Sequence, residues 1–444
     1  MTRIGMNLTT LAYWFPDHPY IDRAYLTPPW QAKIGYLQCS IPIPAGRTEI
    51  VVEWGGADSM TPQVPVAGKI DKPPVEVIDA RTFRFTAPEG PENRAAMFVA
   101  RGSGLSVSNP PSLSVVEAEH YAAWKAGAKF DPRLIADLTG IPTFRLKDWL
   151  NTDGNTGWQR MPLVDAIGFA EECGARVWGN IRPELTDTQI RAELGIYEAL
   201  CSQTPIIEYG NELWNTSYPA TNAIATRAAA AGVSLFRQGG REAARLGRFA
   251  RGRRVALAAG SQPVSPSRGL EFLGGLSDAG SGPADFTYWT TSIYPYGTLV
   301  NANGPLLALA RANDIPGAIA NIMGQTGATS EGLSLAALAK TNAQQAQIAA
   351  DNGLTMAVYE MNAHLHLSAH PAAVQAELLD FITRLQRDPR AAVIAQGIHA
   401  QARAIGAEEA CWFAWSAPPT KAGYFSVKGT AAEPVVRAEQ AGAG

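Results

Sequence analysis

The chain has 444 residues, of which 46% are hydrophobic and 17% are charged. That balance allows a sizeable core and excludes both a highly charged disordered chain and a coiled coil. The formal net charge of −3 provides no global basic field, so neither nucleic acid nor an anionic membrane surface is an expected partner.

The start of the chain, MTRIGMNLTTLAYWFPDHPYIDRAY, has one early arginine and no long apolar stretch leading to a small-residue cleavage site. It therefore does not resemble a secretory signal peptide. The sequence contains no run of about 18 apolar residues, so no membrane span is expected. We expect a cytoplasmic protein, or one that is released without a signal peptide, as a phage or virion component would be.

Several kinds of reactive or cofactor-binding motif are missing from the sequence. The four cysteines lie far apart and form no CxxC pattern, which predicts buried thiols rather than a zinc or redox site. Neither a GxGxxG nor a GxxxxGK[ST] phosphate loop occurs, and no G-x-S-x-G elbow marks a serine hydrolase. We therefore expect no cofactor.

Residues 30–117 consist of short β-type runs separated by Pro, Gly and Asp. The runs include KIGYLQCSIPI, TEIVVEWGG, TFRFTAP and AAMFVARG, and none has a helical period. This pattern predicts a small antiparallel sheet or sandwich. We interpret it as a β-rich domain inserted into a larger domain that comprises 1–29 and 118–444.

From residue 118 onward, apolar strand-like runs alternate with amphipathic helical stretches, which indicates parallel β/α units. With RIGMNLT at 3–9, eight such runs occur; the others span 141–150, 175–183, 205–215, 254–262, 285–295, 354–362 and 409–416. Eight units predict a (β/α)8 TIM barrel, with the β-rich domain inserted after the first barrel strand. A doubly wound open sheet is the alternative, but it would need the glycine loop that the sequence lacks.

Two glutamates lie at the ends of predicted strands. Strand four ends in EYGNELWN, which contains Glu212, and strand seven ends in VYEMN, which contains Glu360. Because active sites of such barrels collect at the C-terminal strand ends, these two side chains should face each other across the mouth. Paired carboxylates in a cleft suit glycoside hydrolysis, in which one protonates the leaving oxygen and the other attacks the anomeric carbon.

The same strand ends resemble those of clan A glycoside hydrolases, which are retaining (β/α)8 enzymes. EYGNELWN and VYEMNAHL are most similar to a bacterial subgroup with E-Y-x-N-E-x-W-N and Y-E-x-x-x-H segments. That subgroup's G-x-N start is matched by Gly5-Met6-Asn7, and its R-x-x-D-W-L-x-T element by residues 145–152. The resemblance covers roughly 1–29 and 118–430, with four elements in the correct strand order.

The resemblance implies a role for each matching residue near the two carboxyl groups. Glu212 would be the acid/base, and Glu360 would be the nucleophile that forms a glycosyl-enzyme. Asn211 would hydrogen-bond the sugar 2-hydroxyl, Arg145 would hold the nucleophile ionised, and Tyr294 would donate a hydrogen bond to it. A retaining mechanism predicts carboxyl groups about 5–5.5 Å apart.

Further candidate contacts to a sugar come from aromatic and cationic residues at strand ends. The resemblance implies that Trp412 or Trp415, on strand eight, forms the floor beneath the sugar. Arg182, after strand three, is a candidate substrate contact. The tryptophans at strand ends or in loops are candidate stacking platforms: Trp14, Trp158, Trp214, Trp412 and Trp415.

Glu208 lies four residues before Glu212 and should point to the same side of the strand, deeper in the barrel. Its expected role is a structural ion pair with Arg145 or Arg182.

His364, His366 and His370 form an H-x-H-x3-H pattern just after strand seven. On a strand, H-x-H places two imidazoles on one face, which is a metal-binding spacing. In the other interpretation no metal is bound, and His364 matches the subgroup's histidine and contacts the sugar or supports the nucleophile.

These patterns together predict a retaining glycoside hydrolase that cleaves a β-linked poly- or oligosaccharide. Two alternatives stay open: a non-catalytic carbohydrate-binding barrel of a phage or cell surface, and a metal-dependent hydrolase that uses the three histidines. The inserted domain would shape one end of the cleft, bind further sugar units or act as a structural lid.

Overall fold

In the computed structural model, the described residues are 2–442 except 9–19, 21, 23–29, 35, 43–47, 67–68, 89–94, 156–159, 297, 302, 326–332 and 416–425. Two of the candidate stacking residues, Trp14 and Trp158, lie outside the described residues.

The strands alternate with helices only in the second part of the chain. In chain order the strands are β1 Arg3–Asn7, β2 Gln31–Lys33, β3 Tyr36–Pro42, β4 Thr48–Gly55, β5 Ser59–Val66, β6 Lys69–Asp71, β7 Val75–Asp79, β8 Thr82–Ala87, β9 Ala95–Arg101, β10 Ser112–Glu117, β11 Thr143–Arg145, β12 Arg176–Ile181, β13 Ile206–Tyr209, β14 Ala256–Gly260, β15 Tyr288–Ile293, β16 Thr355–Met361 and β17 Glu409–Phe413.

The helices fall mostly between the later strands. They are α1 Tyr121–Lys125, α2 Pro132–Leu138, α3 Leu163–Glu172, α4 Asp187–Leu200, α5 Pro219–Ala230, α6 Leu235–Ala250, α7 Pro266–Asp278, α8 Leu306–Ala312, α9 Ile315–Met323, α10 Leu335–Asp351, α11 Gln375–Arg387, α12 Ala392–Ala404 and α13 Ala432–Gly442. None of the described helices is long and apolar enough to cross a membrane.

The chain divides into two compact units. The first, the barrel unit, comprises 1–10 and 139–444, and the second, the β unit, comprises 11–138. The predicted insertion, 30–117, lies inside the β unit.

In the barrel unit, eight parallel strands close in the order β1-β11-β12-β13-β14-β15-β16-β17. The predicted (β/α)8 barrel is therefore confirmed, and each of the eight predicted runs contains one of these strands. Side chains pointing into the barrel include Trp178, Ile206, Tyr288, Ala357 and Cys411, which pack as one buried cluster. They come from alternate residues of neighbouring strands, as expected for a filled barrel interior.

A buried polar cluster links four barrel strands at the end opposite the strand C-termini. Glu409 of β17 accepts a hydrogen bond from Thr143 of β11 at 2.7 Å. It also forms an ion pair with Arg176 of β12 at 2.8 Å. Arg3 of β1 also pairs with it. Because a buried carboxylate is costly unless paired, these partners make Glu409 compatible with a position that is 0% exposed.

Besides the helices α1 and α2, the described part of the β unit contains two antiparallel sheets, with strand orders β10-β4-β8-β7 and β2-β3-β9-β5-β6. Alternate residues of each sheet point inward, and Ile50, Phe83, Phe85, Phe98 and Val115 belong to one shared core. The period-two alternation of apolar residues in β8, TFRFTA, accounts for one face of this core.

Candidate active site

Glu212 follows the end of β13 in an unusual backbone conformation. Its φ is +41°, in the left-handed region that non-glycine residues rarely adopt. Gly210, two residues earlier, also has a positive φ, of +69°, which glycine adopts without strain. Such strained backbone is found most often at functional sites, where the surrounding structure holds it in place.

Glu360 is turned toward the barrel mouth by a β-bulge. On β16 the pairing with β15 passes from Thr291↔Val358 to Ser292↔Glu360, so one residue, Tyr359, is left over. In a regular strand, consecutive side chains would point to opposite faces. Here Tyr359 and Glu360 both reach groups of the site, because a bulge re-aims the side chains beside it.

Each carboxyl oxygen of Glu360 has its own partners. Arg145 Nη1 donates to Oε1 at 2.8 Å, and the Nζ of Lys147 lies 3.6 Å from the same oxygen. The Tyr294 hydroxyl donates to Oε2 at 2.6 Å. Burial alone would raise the pKa of Glu360, but Lys147, Arg145 and the hydrogen bonds outweigh it, so the pKa lies below the ordinary 4.5.

Glu212 has the opposite electrostatic environment. Tyr359 donates to its Oε1 at 3.2 Å and Asn215 donates to its Oε2 at 3.1 Å. Burial, and then the negative charge of Glu360, raise the pKa of Glu212 to about 7. At neutral pH one carboxyl group is thus largely ionised, while the other retains a substantial protonated fraction.

Arg145 is 0% exposed and contacts Glu360. Besides Glu360, its guanidinium donates to Glu208 at 2.8 Å and to the side-chain oxygen of Asn7 at 3.2 Å. Glu208 also accepts from Trp178 and Asn180, at 3.2 and 3.0 Å. The expected ion pair of Glu208 is therefore formed with Arg145. This pair favours the charged form of the Arg145 guanidinium and fixes its orientation next to the nucleophile.

Asn211 is held at both ends of its amide. Its Oδ1 accepts from Arg145 Nη2 at 2.8 Å, and its Nδ2 donates to Asp153 at 2.9 Å. These bonds fix the orientation of the amide beside Arg145. The implied contact to a sugar 2-hydroxyl stays a prediction.

A cavity of about 590 Å³ lies at the C-terminal ends of the barrel strands. Its size falls within the roughly 300–1,000 Å³ typical of ligand sites. Both glutamates line it, and Trp214, Tyr294 and His364 are the other predicted site residues that do so. The remaining lining residues are Lys147, Asn215, Tyr218, Gln262, Pro263, Val264, Ser292, Tyr296, Leu333, Leu338, His366, Ser368 and Phe413.

The aromatic side chain that β17 presents to the cavity is that of Phe413. Trp412 instead points away from the barrel interior, where its indole N–H donates to His399 of α12 at 2.8 Å. Trp415 is buried beneath the guanidinium of Arg437, 4.6 Å from its ring. Neither tryptophan is among the described residues that line the cavity, whereas Phe413 is, and a floor of Trp412 or Trp415 beneath a sugar stays a prediction.

Arg182 also lies away from the cavity lining. Its guanidinium pairs with Glu184 at 2.9 Å, two residues along the chain. The charge of Arg182 is therefore balanced by Glu184 of the same loop, and the structure does not bring Arg182 to Glu212 and Glu360.

The rings of His364 and His366 lie 5.0 Å apart, but the three histidines are not among the described groups whose possible ligand atoms all lie within 4.8 Å of one another. His364 packs against Tyr294 with ring centroids 4.8 Å apart, and burial lowers its pKa to about 4, so the ring is neutral at neutral pH. His366 bonds to Ser368 at 2.9 Å, and His370 is buried. Among the described residues, the only three His, Cys, Asp or Glu side chains whose possible ligand atoms lie within 4.8 Å of one another belong to the β unit: Glu117, Glu119 and His120.

That β-unit group is already occupied by a cation of the protein. Arg133 contacts Glu117 at 2.6 Å and Glu119 at 3.3 Å, which makes the group an ion-pair cluster. The metal-dependent alternative thus has no support from either set of residues.

Among the residues of the site that were not assigned a role from the sequence are Lys147, Tyr359 and Phe413. Lysine after a strand usually extends into solvent, so its position gave no signal. The alternation of β17 could have favoured Phe413, because Glu409 and Cys411 are the inward residues of that strand. The alternation of β16 could likewise have favoured Tyr359, because Ala357, two residues earlier, belongs to the same barrel-interior cluster.

Comparison with known proteins gives fold neighbours but no sequence relatives. No family model matches the chain, and no curated protein matches it. Solved structures that match include a family 5 xyloglucanase from Paenibacillus pabuli, with 12% identity, TM-score 0.38 and coverage of 70% of this chain and 90% of that one. A GH5 cellulase described as Bacteroidetes-affiliated matches with 13% identity, TM-score 0.37 and coverage of 69% and 83%.

A fungal β-1,4-galactanase structure matches with 13% identity, TM-score 0.36 and coverage of 69% and 91%. These neighbours are clan A glycoside hydrolases, the group that the strand-end motifs resemble. Similarity at this level is compatible with many activities on one barrel fold, so function has to come from the chemistry of the site.

Proposed function

We propose that this protein is a retaining glycoside hydrolase that acts on a β-linked poly- or oligosaccharide, with Glu360 as nucleophile and Glu212 as acid/base. The observation that carries the proposal is the opposite environment of two glutamates in one cavity. Arg145, Lys147 and Tyr294 stabilise the anion of Glu360, while burial and the charge of Glu360 disfavour the anion of Glu212. Two titratable groups whose environments push their pKa values apart suit an acid and a nucleophile.

The proposed reaction has two steps. In the first, Glu360 attacks the anomeric carbon, the glycosidic bond breaks and Glu212 gives its proton to the leaving oxygen. In the second, Glu212 takes a proton from water, whose oxygen attacks the same carbon and displaces Glu360 as a carboxylate. Both steps use only the two carboxyl groups and water.

The walls of the cavity also favour a carbohydrate. Five of its lining residues are aromatic: Trp214, Tyr218, Tyr294, Tyr296 and Phe413. Aromatic faces provide apolar area, and the polar edges of Tyr and Trp leave hydrogen-bonding groups for hydroxyls. Pockets of this kind orient a ligand through a few polar groups among apolar walls.

Reducing-sugar release from a panel of β-linked polysaccharides and aryl β-glycosides tests the proposal. We expect the wild type to be active on at least one member and Glu360→Gln to lose that activity by several orders of magnitude. Glu377→Gln, an exposed glutamate of α11, is the matched control and should keep full activity. Equal activity in Glu360→Gln would exclude Glu360 as the nucleophile.

The stereochemistry tests the retaining mechanism separately. ¹H NMR of the first product released should show the β anomer before mutarotation. An α anomer would indicate inversion and would contradict the nucleophilic role of Glu360. If the whole panel is silent, glycan binding by the wild type with no turnover would instead favour the carbohydrate-binding alternative.

A further inference from the structure

Lys147 lies two residues after Arg145, at the end of β11, and its side chain is only 5% exposed. It lines the cavity together with Glu212 and Glu360. A lysine at a strand end normally keeps its ammonium group in water, because burial of an unpaired charge costs several kcal/mol or more. The burial of Lys147 therefore requires an explanation from its partners.

Three carboxylates and the aromatic rings of Phe413 and Tyr218 surround the ammonium group. The Nζ lies 3.1 Å from Asp148, 3.5 Å from Asp153 and 3.6 Å from Glu360. It also lies 5.0 Å from the centroid of the Phe413 ring, within cation–π distance. With this many partners the lysine stays charged, and its position is set from several sides.

These contacts close a ring of five side chains, which we call the nucleophile ring: Glu360, Arg145, Asn211, Asp153 and Lys147. Arg145 bonds Glu360 and Asn211 at 2.8 Å each, and Asn211 bonds Asp153 at 2.9 Å. The other carboxyl oxygen of Asp153 accepts a hydrogen bond from Lys147 at 3.5 Å. The ion pair between Lys147 and Glu360 then closes the ring. Arg145 and Lys147 thus meet at the same oxygen of Glu360 from two sides.

We propose that Lys147 is a positioning residue for the nucleophile, which holds Oε1 of Glu360 on the cavity side while Arg145 holds it from below, with Asp153 fixing the ammonium group in place. The inference rests on the proposed function for its catalytic consequence, but the interaction itself does not. When the glycosyl-enzyme breaks down, the C–O bond electrons return to Glu360, and Lys147 is placed to pair with the carboxylate that re-forms.

Other charged and titratable groups act on Glu360 as well, and a change at Lys147 has to be separated from them. They come from the neighbouring strands and loops and from its own segment: Arg145, Asp148, Glu212, Tyr294, Tyr359, His364 and Cys411. Glu208 and Asp153 contact the two cations instead, Glu208 at Arg145 and Asp153 at Lys147. Lys147 also acts on Glu212, where its charge favours the anion.

The first experiment measures kcat/KM against pH for Lys147→Met, on an aryl glycoside that the wild type hydrolyses. Removing a cation this close should move the acidic limb upward by about one to three pH units, and the basic limb upward by less. Lys147→Arg keeps the charge and should restore the wild-type limbs. Lys340→Met, an exposed lysine of α10, should leave the profile unchanged. A loss of rate at every pH with unmoved limbs would mean a merely structural role and would overturn the inference.

The second experiment needs no substrate. In protein labelled with ¹³C at the glutamate carboxyl carbon, the signal missing from Glu360→Gln identifies Glu360, and its titration is followed by NMR. An upward shift in Lys147→Met supports the inference even if no glycan is cleaved, in which case only the proposed function fails. An unchanged titration overturns the inference whatever the activity.

Lys147→Met leaves three buried carboxylates facing one another and can fail to fold. The double variant Lys147→Met/Asp148→Asn removes one of these charges, with Asp148→Asn alone as its reference. Relative to that reference, the double variant should show the same upward shift of the Glu360 titration. Identical titrations in the two proteins would contradict the positioning role.

Discussion

At the scale of the residue, the site depends on one electrostatic asymmetry between two neighbouring glutamates. Glu360 has two cations and a tyrosine hydroxyl at its oxygens, whereas Glu212 has one amide, one tyrosine hydroxyl and the negative charge of Glu360. Because each carboxyl group influences the other, their titrations belong to the pair. The pair as a whole defines the pH range in which the proposed chemistry can proceed.

This asymmetry predicts a bell-shaped pH profile. Glu360 must be ionised, so activity should fall as pH drops through its pKa, which lies below 4.5. Glu212 must be protonated, so activity should fall as pH rises through about 7. The expected maximum lies between these limits, and kcat/KM against pH measures it.

Glu212→Gln provides the check on that assignment. Without a titrating acid, the residual kcat/KM on an aryl glycoside with a good leaving group should lose its fall above neutral pH. If the basic limb survives in Glu212→Gln, another group is the acid.

The sequence allowed the two glutamates to be predicted, because each ends an apolar strand and carboxylates are rare at such places. Arg145 and Tyr294 were predicted from motif resemblance, and both bond to Glu360. Lys147 could not be predicted, because nothing in its local sequence distinguishes a buried lysine from one at the rim. Its burial depends on Asp153 and Glu360, which only the fold brings together.

At the scale of the element, single-residue shifts decide which side chains reach the cavity. On β17 the inward residues are Glu409, Cys411 and Phe413, so Trp412 faces α12. On β16 the bulge breaks the alternation and turns Glu360 inward. Both strands were predicted from the sequence. A shift of one residue, however, exchanges the side chains that point inward with those that point outward, and the sequence pattern at a strand end does not show which set points inward.

Helices α6 and α7 pack so closely that glycines form the contact. A Cβ atom at Gly275 would overlap the backbone oxygen of Arg237, and one at Gly240 would overlap the backbone oxygen of Phe272. At Gly274, one position away, the nearest atoms belong to the Arg237 side chain at 3.7 Å, which is an ordinary contact.

We therefore expect Gly275→Ala and Gly240→Ala each to lower the free energy of unfolding by about 1–3 kcal/mol, because backbone atoms must move apart. Gly274→Ala is the matched control and should be neutral or stabilising by about 0.5–1 kcal/mol, because alanine favours the helix. Urea unfolding followed by circular dichroism measures all three. Equal effects at Gly274 and Gly275 would show that the close helix contact is not what limits stability.

At the scale of the whole molecule, the buried cluster of the β unit and the cluster of the barrel interior share no residue among the described part of the chain. The core of the β unit includes Phe98 between its two sheets, and the barrel unit contains Phe144 on β11, which is also 0% exposed. The change of texture along the sequence, from short β runs to alternating strands and helices, allowed both kinds of architecture to be predicted. The exact division at 11–138 was not apparent, because the flanking segments have no β pattern.

Separate cores predict separate responses to core damage. Phe98→Ala should destabilise the β unit by about 3–5 kcal/mol and raise hydrogen exchange in β3, β8 and β9, with exchange in β11–β17 unchanged. Phe144→Ala should show the reverse pattern, and mass spectrometry of exchanged peptides measures both. Exchange that rises in both units after either substitution would mean that the two unfold as one.

The closed strand order also means that the first barrel strand cannot complete its pairing until the last one has been synthesised. β1 is hydrogen-bonded on one side to β17, with Arg3 opposite Glu409 and Asn7 opposite Phe413. The ribosome makes these two strands about 400 residues apart, which at about 5–20 residues per second separates them by about 20–80 s. During that interval one edge of β1 has no native partner and is open to pairing with other chains. Newly made protein therefore has to keep its first strand from aggregating until its last barrel strand has emerged.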